Sequence, residues 1–176
     1  VRILRAADRA RVPWRNGAGT TTEVALDGEP DAPSWRLSIA TIDGPSAFSG
    51  FPGYDRMLMP LDESLLLDID GTETTVPRHS VIRFRGEQRV SAVAVASPQS
   101  DLNLFVARDR FRGSLGSLEV AERLVVPPAR GLQLIVVLTP GLESAGRPLH
   151  LGDAIDPVGD TVCLEGSGAV AIATIA

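Results

Sequence analysis

The sequence predicts an all-β protein, a sandwich or barrel duplicated along the chain. Three observations carry this. Apolar residues alternate with polar ones or fall in short runs, and Gly, Pro, Asp and Ser sit between the runs as turn signals. Helical spacing is scarce, and residues 5–11 offer one turn or two at most. A strand–turn–strand pattern occurs twice.

Taken in order, Ile3-Leu4 is a short apolar pair, and 20–26 is a β-branched run opened by Thr20-Thr21-Thr22. Residues 35–42 alternate Trp35, Leu37 and Ile39 with Arg36, Ser38 and Ala40. Shorter runs at 56–60, 65–69, 80–85, 90–96, 102–108, 118–125 and 133–139 follow, then 154–157, 161–165 and 170–175. The repeat joins two of these regions. Residues 65–69, a turn at Gly71 and then 76–82 read strand, turn, strand, and 133–139, a loop at 141–146 and then 149–155 read the same way. Val76 falls on Leu149 and Ile82 on Ile155 at one common offset. The second copy, Leu149-His150-Leu151-Gly152-Asp153-Ala154-Ile155, has the tight Gly-Asp turn before a strand that is typical of cupin barrels. The expected architecture is a single compact unit of two cupin-like halves, 1–97 and 98–176, meeting around 95–101.

Composition removes several classes of function. The net charge is −5, and an acidic chain is a poor nucleic-acid binder, which needs a basic face to displace counterions. The alternating arginines at 83–89 and 108–112 read as solvated strand faces. The one cysteine, Cys163, cannot form an internal disulfide and reads as a small buried hydrophobe. Residues 1–11 lack the apolar run of a signal peptide, and the longest apolar segment, 132–138, is far short of the ~20 residues of a membrane helix. The expectation is a cytoplasmic protein without membrane contact.

The chemistry gathers in Pro13-Trp14-Arg15-Asn16-Gly17-Ala18-Gly19-Thr20-Thr21-Thr22-Glu23. Asn16-Gly17 is a turn signal, Gly19 allows close backbone approach, and the threonines run on as a strand. Thr21 and Glu23 point to one face of it and Thr20, Thr22 and Val24 to the other. Such a polar row is either a solvated edge or the wall of a pocket. In 35–40, Trp35, Leu37 and Ile39 form the core face, leaving Arg36 and Ser38 to solvent or to a barrel interior. Asp101 and Asn103 share a face by the same alternation, and Arg56 lies on another strand. Guanidinium forks select carboxylates through paired charge-assisted hydrogen bonds. Arg36 bridged to Glu23 or Asp101, and Trp14 as a simple lid over the barrel end, are the structural alternatives.

Four blocks in order resemble the HutD/Ves family of cupin-like proteins, encoded in some bacteria beside histidine-utilisation genes. They are 13–23, then Trp35-Arg36-Leu37-Ser38-Ile39-Ala40, then Gly44-Pro45-Ser46-Ala47-Phe48-Ser49 with Phe51-Pro52-Gly53-Tyr54-Asp55-Arg56, and last Asp101-Leu102-Asn103-Leu104-Phe105. Ser46-Ala47 is an insertion relative to the family pattern, and Phe105 stands where methionine is usual. The resemblance implies an RmlC-like cupin fold, a duplicated bicupin β-barrel. It also implies regulation or buffering in histidine utilisation, through binding of an intermediate such as urocanate or a formimino- or formyl-glutamate.

The candidate ligand-binding residues are Trp14, Asn16, Thr22, Glu23, Arg36, Ser38, Arg56, Asp101 and Asn103. The expected partner is a small-molecule carboxylate, with a homodimer as a candidate assembly. Neither metal nor cofactor is expected. The usual cupin metal site needs three histidines, and the chain has two, His79 and His150, with no neighbouring histidine. Gly17-Ala18-Gly19 lacks the lysine of a phosphate-binding loop, and Ser167 lacks an evident base. Two alternatives to a non-catalytic binder remain. One is a metal-free isomerase, epimerase or lyase with Glu23 or Asp101 as general base; the other is an interaction module.

Overall fold

The computed structural model describes residues 1–14, 17 and 19–176; the candidate Asn16 lies outside the described residues, with Arg15 and Ala18. The regular secondary structure described is almost entirely strand. In order it runs β1 (Arg2–Leu4), a 3-10 turn (Ala6–Asp8), β2 (Arg11–Pro13), β3 (Gly19–Glu29), β4 (Ala32–Ile42), β5 (Ser46–Ala47) and β6 (Tyr54–Pro60). It continues through β7 (Leu65–Ile69), β8 (Thr72–Val76), β9 (Ile82–Arg85), β10 (Val90–Ala94), β11 (Gln99–Ala107) and β12 (Gly113–Val126). It ends with β13 (Leu132–Val137), β14 (Leu142–Ser144), β15 (Arg147–Leu149), β16 (Ala154–Asp156) and β17 (Val162–Ile175). No described helix is long and apolar enough to cross a membrane.

Two compact units form, one from Ala10–Arg112 and the other from Val1–Arg9 with Gly113–Ala176. The division thus falls at Arg112 and not at the expected 97/98, and the first nine residues belong with the C-terminal unit. The physical reason is β11. After the connection at 95–98 it returns to pair with β4 and β6 of the unit that precedes it.

In the unit Ala10–Arg112 a six-stranded sheet, β2-β3-β4-β11-β6-β9, accompanies a four-stranded one, β5-β10-β7-β8. Their inner faces meet in a core that includes Ile42 and Leu58 from the larger sheet and Leu65, Leu67 and Val90 from the smaller. The other face of the larger sheet is buried as well, since Leu37, Met57, Leu102 and Leu104 are 0–2% exposed. β11 is buried on both faces, with Leu102, Leu104 and Val106 on one and Asp101, Asn103 and Phe105 on the other.

The second unit is one curled sheet, β1-β16-β13-β17-β14-β15, with β12 laid along β17. Its element order matches that of the first. β6 pairs β9 as β13 pairs β16, and hairpin β7–β8 corresponds to hairpin β14–β15. β10 and β11, which pair β7 and β6, correspond to the single β17, which pairs β14 and β13. The turn into β9 has His79 at φ 59, with its N–H donating to Pro60 O at 2.8 Å; the turn into β16 has Gly152 at φ 80, donating to Val137 O at 2.9 Å.

The expected strands 161–165 and 170–175 are one strand, because Gly166 lets β17 bend and not stop. Gly166 has φ 111, and a Cβ there would lie 2.1 Å from Gly141 O. Gly166→Ala is expected to destabilise the protein by roughly 2–4 kcal/mol through strain and backbone clash. A urea midpoint equal to wild type would show that the bend tolerates a side chain.

Candidate ligand-binding site

A cavity of about 670 Å³ opens within the unit Ala10–Arg112. Strand register sets three cross-strand rows, of which all members but Phe84, Leu58 and Pro60 line the cavity. Arg36 (β4), Phe105 (β11), Arg56 (β6) and Phe84 (β9) are successive neighbours in the first. Glu23 (β3), Ser38, Asn103 and Leu58 form the second, and Thr21, Ala40, Asp101 and Pro60 the third. Below the third row the same face of β4 reaches Ile42 and the closed core. One barrel interior is therefore packed at one end and polar at the other.

The first row places one phenyl ring between two guanidiniums. The Phe105 centroid is 4.7 Å from the Arg36 Cζ and 4.2 Å from that of Arg56. Phe84, Phe51 and Phe48 also surround Arg56, at 4.9, 5.6 and 5.8 Å. Ring faces stabilise a desolvated cation by about 2 kcal/mol but accept no hydrogen bond of ordinary strength. Arg56 is 6% exposed and donates from Nη1 to Ser49 O at 3.0 Å, while its Nε and that of Arg36 are buried without an acceptor. Burial pulls the Arg56 pKa down to about 10; Asp101 raises it and the like charge of Arg36 lowers it further. Burial lowers Arg36 too, opposed by Glu23 and Tyr54. Among the described residues neither arginine forms an ion pair with a carboxylate, so the expected alternative of an Arg36 bridge to Glu23 or Asp101 is not formed.

Asp101 is 1% exposed. Its Oδ1 accepts from Asn103 Nδ2, and its Oδ2 has no partner. Burial raises its pKa to about 7; the Asn103 bond and Arg56 oppose the rise, and Asp62 adds to it.

Of the candidate residues, Trp14, Glu23, Arg36, Ser38, Arg56, Asp101 and Asn103 line this cavity. Thr22 does not. It pairs with Ile39, which puts it on the opposite face of the sheet, and Thr21 takes the place expected of it. Trp14 Nε1 donates to Thr21 Oγ1 at 2.8 Å, and its ring meets Phe48 edge-on at 6.3 Å. Gly19 makes room for that ring, since a Cβ there would lie 3.0 Å from it and 2.4 Å from Thr41 O. Sequence reasoning missed the aromatic wall. Phe105 shares the alternation phase of Asp101 and Asn103 and was findable by it. Phe51 lies outside the strands and carries no periodic signal. Among the described residues no three His, Cys, Asp or Glu side chains converge as a metal site.

Residues 6–173 match the family described as HutD. The chain belongs to the HutD family. A Pseudomonas putida protein of 21.2 kDa from the hutC 3′ region is 37% identical over 129 residues, 70% of this chain and 67% of that one. Protein Ves of Citrobacter koseri is 37% identical over 116 residues, 62% of this chain and 58% of its own length. Among solved structures, a conserved Pseudomonas aeruginosa protein of unknown function superposes with a TM-score of 0.86 at 31% identity, covering 99% of this chain and 97% of that one. HutD of Pseudomonas fluorescens gives 0.83 at 26%, with the same coverage. A cupin barrel protein of Leptotrichia buccalis gives 0.55 at 10% identity, covering 88% of this chain and 86% of that one, a likeness of fold alone. The fold is cupin-like and all-β.

The Asp101 acid sets a pH signature on stability. Its folded pKa lies above the 3.8 of the unfolded chain, so the folded state is favoured most below about pH 4 and loses that advantage as pH rises to about 7. Asp101→Asn removes the ionisation penalty. The variant is expected to be more stable than wild type by roughly 2–4 kcal/mol at pH 8, with the gap closing toward pH 4. Urea unfolding at several pH values reads this directly, and a gap independent of pH would exclude titration of Asp101 in that range.

Proposed function

We propose that the barrel of Ala10–Arg112 binds a small carboxylate derived from amino-acid metabolism, and that the protein regulates or buffers histidine utilisation by holding a pathway intermediate such as urocanate or a formimino- or formyl-glutamate. One observation carries the reading: the buried Arg56 and the half-buried Arg36 line one cavity with their Nε groups unpaired and no carboxylate bridging them. Buried cations of this kind are stabilised by an oxyanion that accepts their free hydrogens. The hutC-region relative supports the pathway. The solved HutD of Pseudomonas fluorescens, described as a formate condition, supports a carboxylate probe. We further read the two units as copies of one cupin barrel, on the strength of their matching strand order and turns.

Catalysis is the second reading, favoured by one feature. A cavity carboxylate that titrates near 7 suits a general base at neutral pH. Deuterium entering the bound compound from D₂O, or a new product by NMR, selects this reading; recovery of the compound unchanged leaves the binder.

Arg36→Ala separates a binding from a structural arginine. Without an ion pair to lose, the variant should keep its stability within about 1 kcal/mol, the scale of a ring contact. Its affinity for the carboxylate should fall about ten- to hundred-fold with the charge-assisted bonds. Thermal shift and calorimetry with histidine-pathway metabolites measure both quantities. Intact affinity with a large loss of stability would refute the site.

A further inference from the structure

Asp101 has a hydrogen-bonding defect that the cavity alone can repair. Asn103 holds Oδ1, which leaves Oδ2 as the free atom. The charged groups around it are Arg56 on β6, Asp62 after β6 and, across the cavity wall, Arg36 on β4 and Glu23 on β3. Asp62 is engaged elsewhere, accepting from Ser100 N–H at 2.6 Å. None of these groups places a donor on Oδ2. An ionised oxygen held out of water without a donor is unfavourable, whereas a protonated one needs only an acceptor. Oδ2 makes no hydrogen bond to the described residues, and Asp101 lines the cavity, so an occupant is where an acceptor would come from.

We propose that Asp101 meets its ligand as a carboxylic acid: Oδ2 carries the proton and donates it to a carboxylate oxygen of the bound anion, so that binding takes up one proton from solvent. The inference rests on the carboxylate-binding reading above and adds a specificity rule to it. The arginines fix the anion's charge, and the protonated Asp101 requires an acceptor at one defined oxygen. A ligand presenting N–H at that position meets a donor and is rejected. The raised pKa agrees with this arrangement, because a proton that is half-present at neutral pH makes affinity follow pH in the physiological range.

The test uses the full chain with N-formylglutamate and with formate, neither of which titrates between about pH 5.5 and 8.5. Calorimetry in two buffers of different ionisation enthalpy counts the protons. The expected result for wild type is uptake of about half a proton at pH 7 and nearly a whole one at pH 8.5, with Kd roughly ten-fold weaker at pH 8 than at pH 6. In Asp101→Asn, whose amide is a permanent donor, the uptake should vanish and Kd become independent of pH. The wild-type proton count stands by itself should the variant fold poorly. Binding without proton uptake, or with release and an affinity that rises with pH, overturns the acid role and leaves the carboxylate site standing. Failure of both probes to bind at every pH removes the carboxylate site and this inference together.

Discussion

Phe105 holds two like charges apart, and the barrel wall is arranged around that separation. Arg36 and Arg56 flank it on neighbouring strands, so their backbones lie about 10 Å apart, twice the strand spacing. The like charge of Arg36 lowers the pKa of Arg56, and the ring faces between and around the two guanidiniums offset part of the repulsion. The remaining support is indirect. Leu58, next inward on β6, and Ile42, further along the inner face of β4, sit in the closed core and fix where the two arginines emerge. The segment bearing Phe48, Ser49 and Phe51 is tied to Arg56 by the Ser49 carbonyl and ring contacts. Core packing thus sets the position of the charges, and the charges position the loop over them.

Much of the site was legible because strands obey a period of two. Once Trp35, Leu37 and Ile39 were assigned to one face, Arg36 and Ser38 had to share the other, and the same rule joined Asp101 to Asn103. Thr22 shows where composition misleads. Alternation from Glu23 already puts Thr21 on its face and Thr22 on the other, and pairing with Ala40 and Ile39 agrees, yet a run of three threonines invites the wrong choice. The phenyl wall was hidden for another reason. Phe48 and Phe51 come from the segment between β5 and β6 and Phe84 from β9, and sequence spacing carries no information about which turn folds over which strand.

The paired hairpins were legible in the sequence, and the place where the two compact units divide was not. A local hairpin with a left-handed turn residue leaves a pattern in the chain, visible as Val76 with Leu149 and Ile82 with Ile155. A domain boundary depends on long-range pairing, and β11 pairs backward across a connection that looks like a linker. The amino terminus joins the later unit for a similarly non-local reason. Asp153, 1% exposed, accepts from Ala6 N–H, His150 N–H and the Arg5 guanidinium at 2.8, 3.0 and 2.6 Å. The Gly-Asp turn that marked the cupin pattern is thus also a clasp for the first strand.

The strand pairings common to the two units allow their matching positions to be compared. Matching β6 and β9 to β13 and β16 aligns Leu58 with Ile135, and register then carries Arg36, Phe105 and Arg56 onto Ser114, Thr174 and Gln133. The Ser114 and Thr174 hydroxyls bond to each other, an uncharged and locally satisfied pair. Asn103 falls on Ile172 and Asp101 on Val170, which is fully buried in an aliphatic core with Ile135, Val137 and Leu164. A barrel of this topology therefore closes without difficulty when those positions are apolar. The charged row in Ala10–Arg112 is not a consequence of the fold, and it sits where filling the space with aliphatic side chains would satisfy the core more simply. Arg56 and Asp101 carry unmet hydrogen bonds where the second unit has Gln133, whose Oε1 is also unpaired, and the aliphatic Val170, so it is the charge of this row and not the unmet bond alone that distinguishes the cavity.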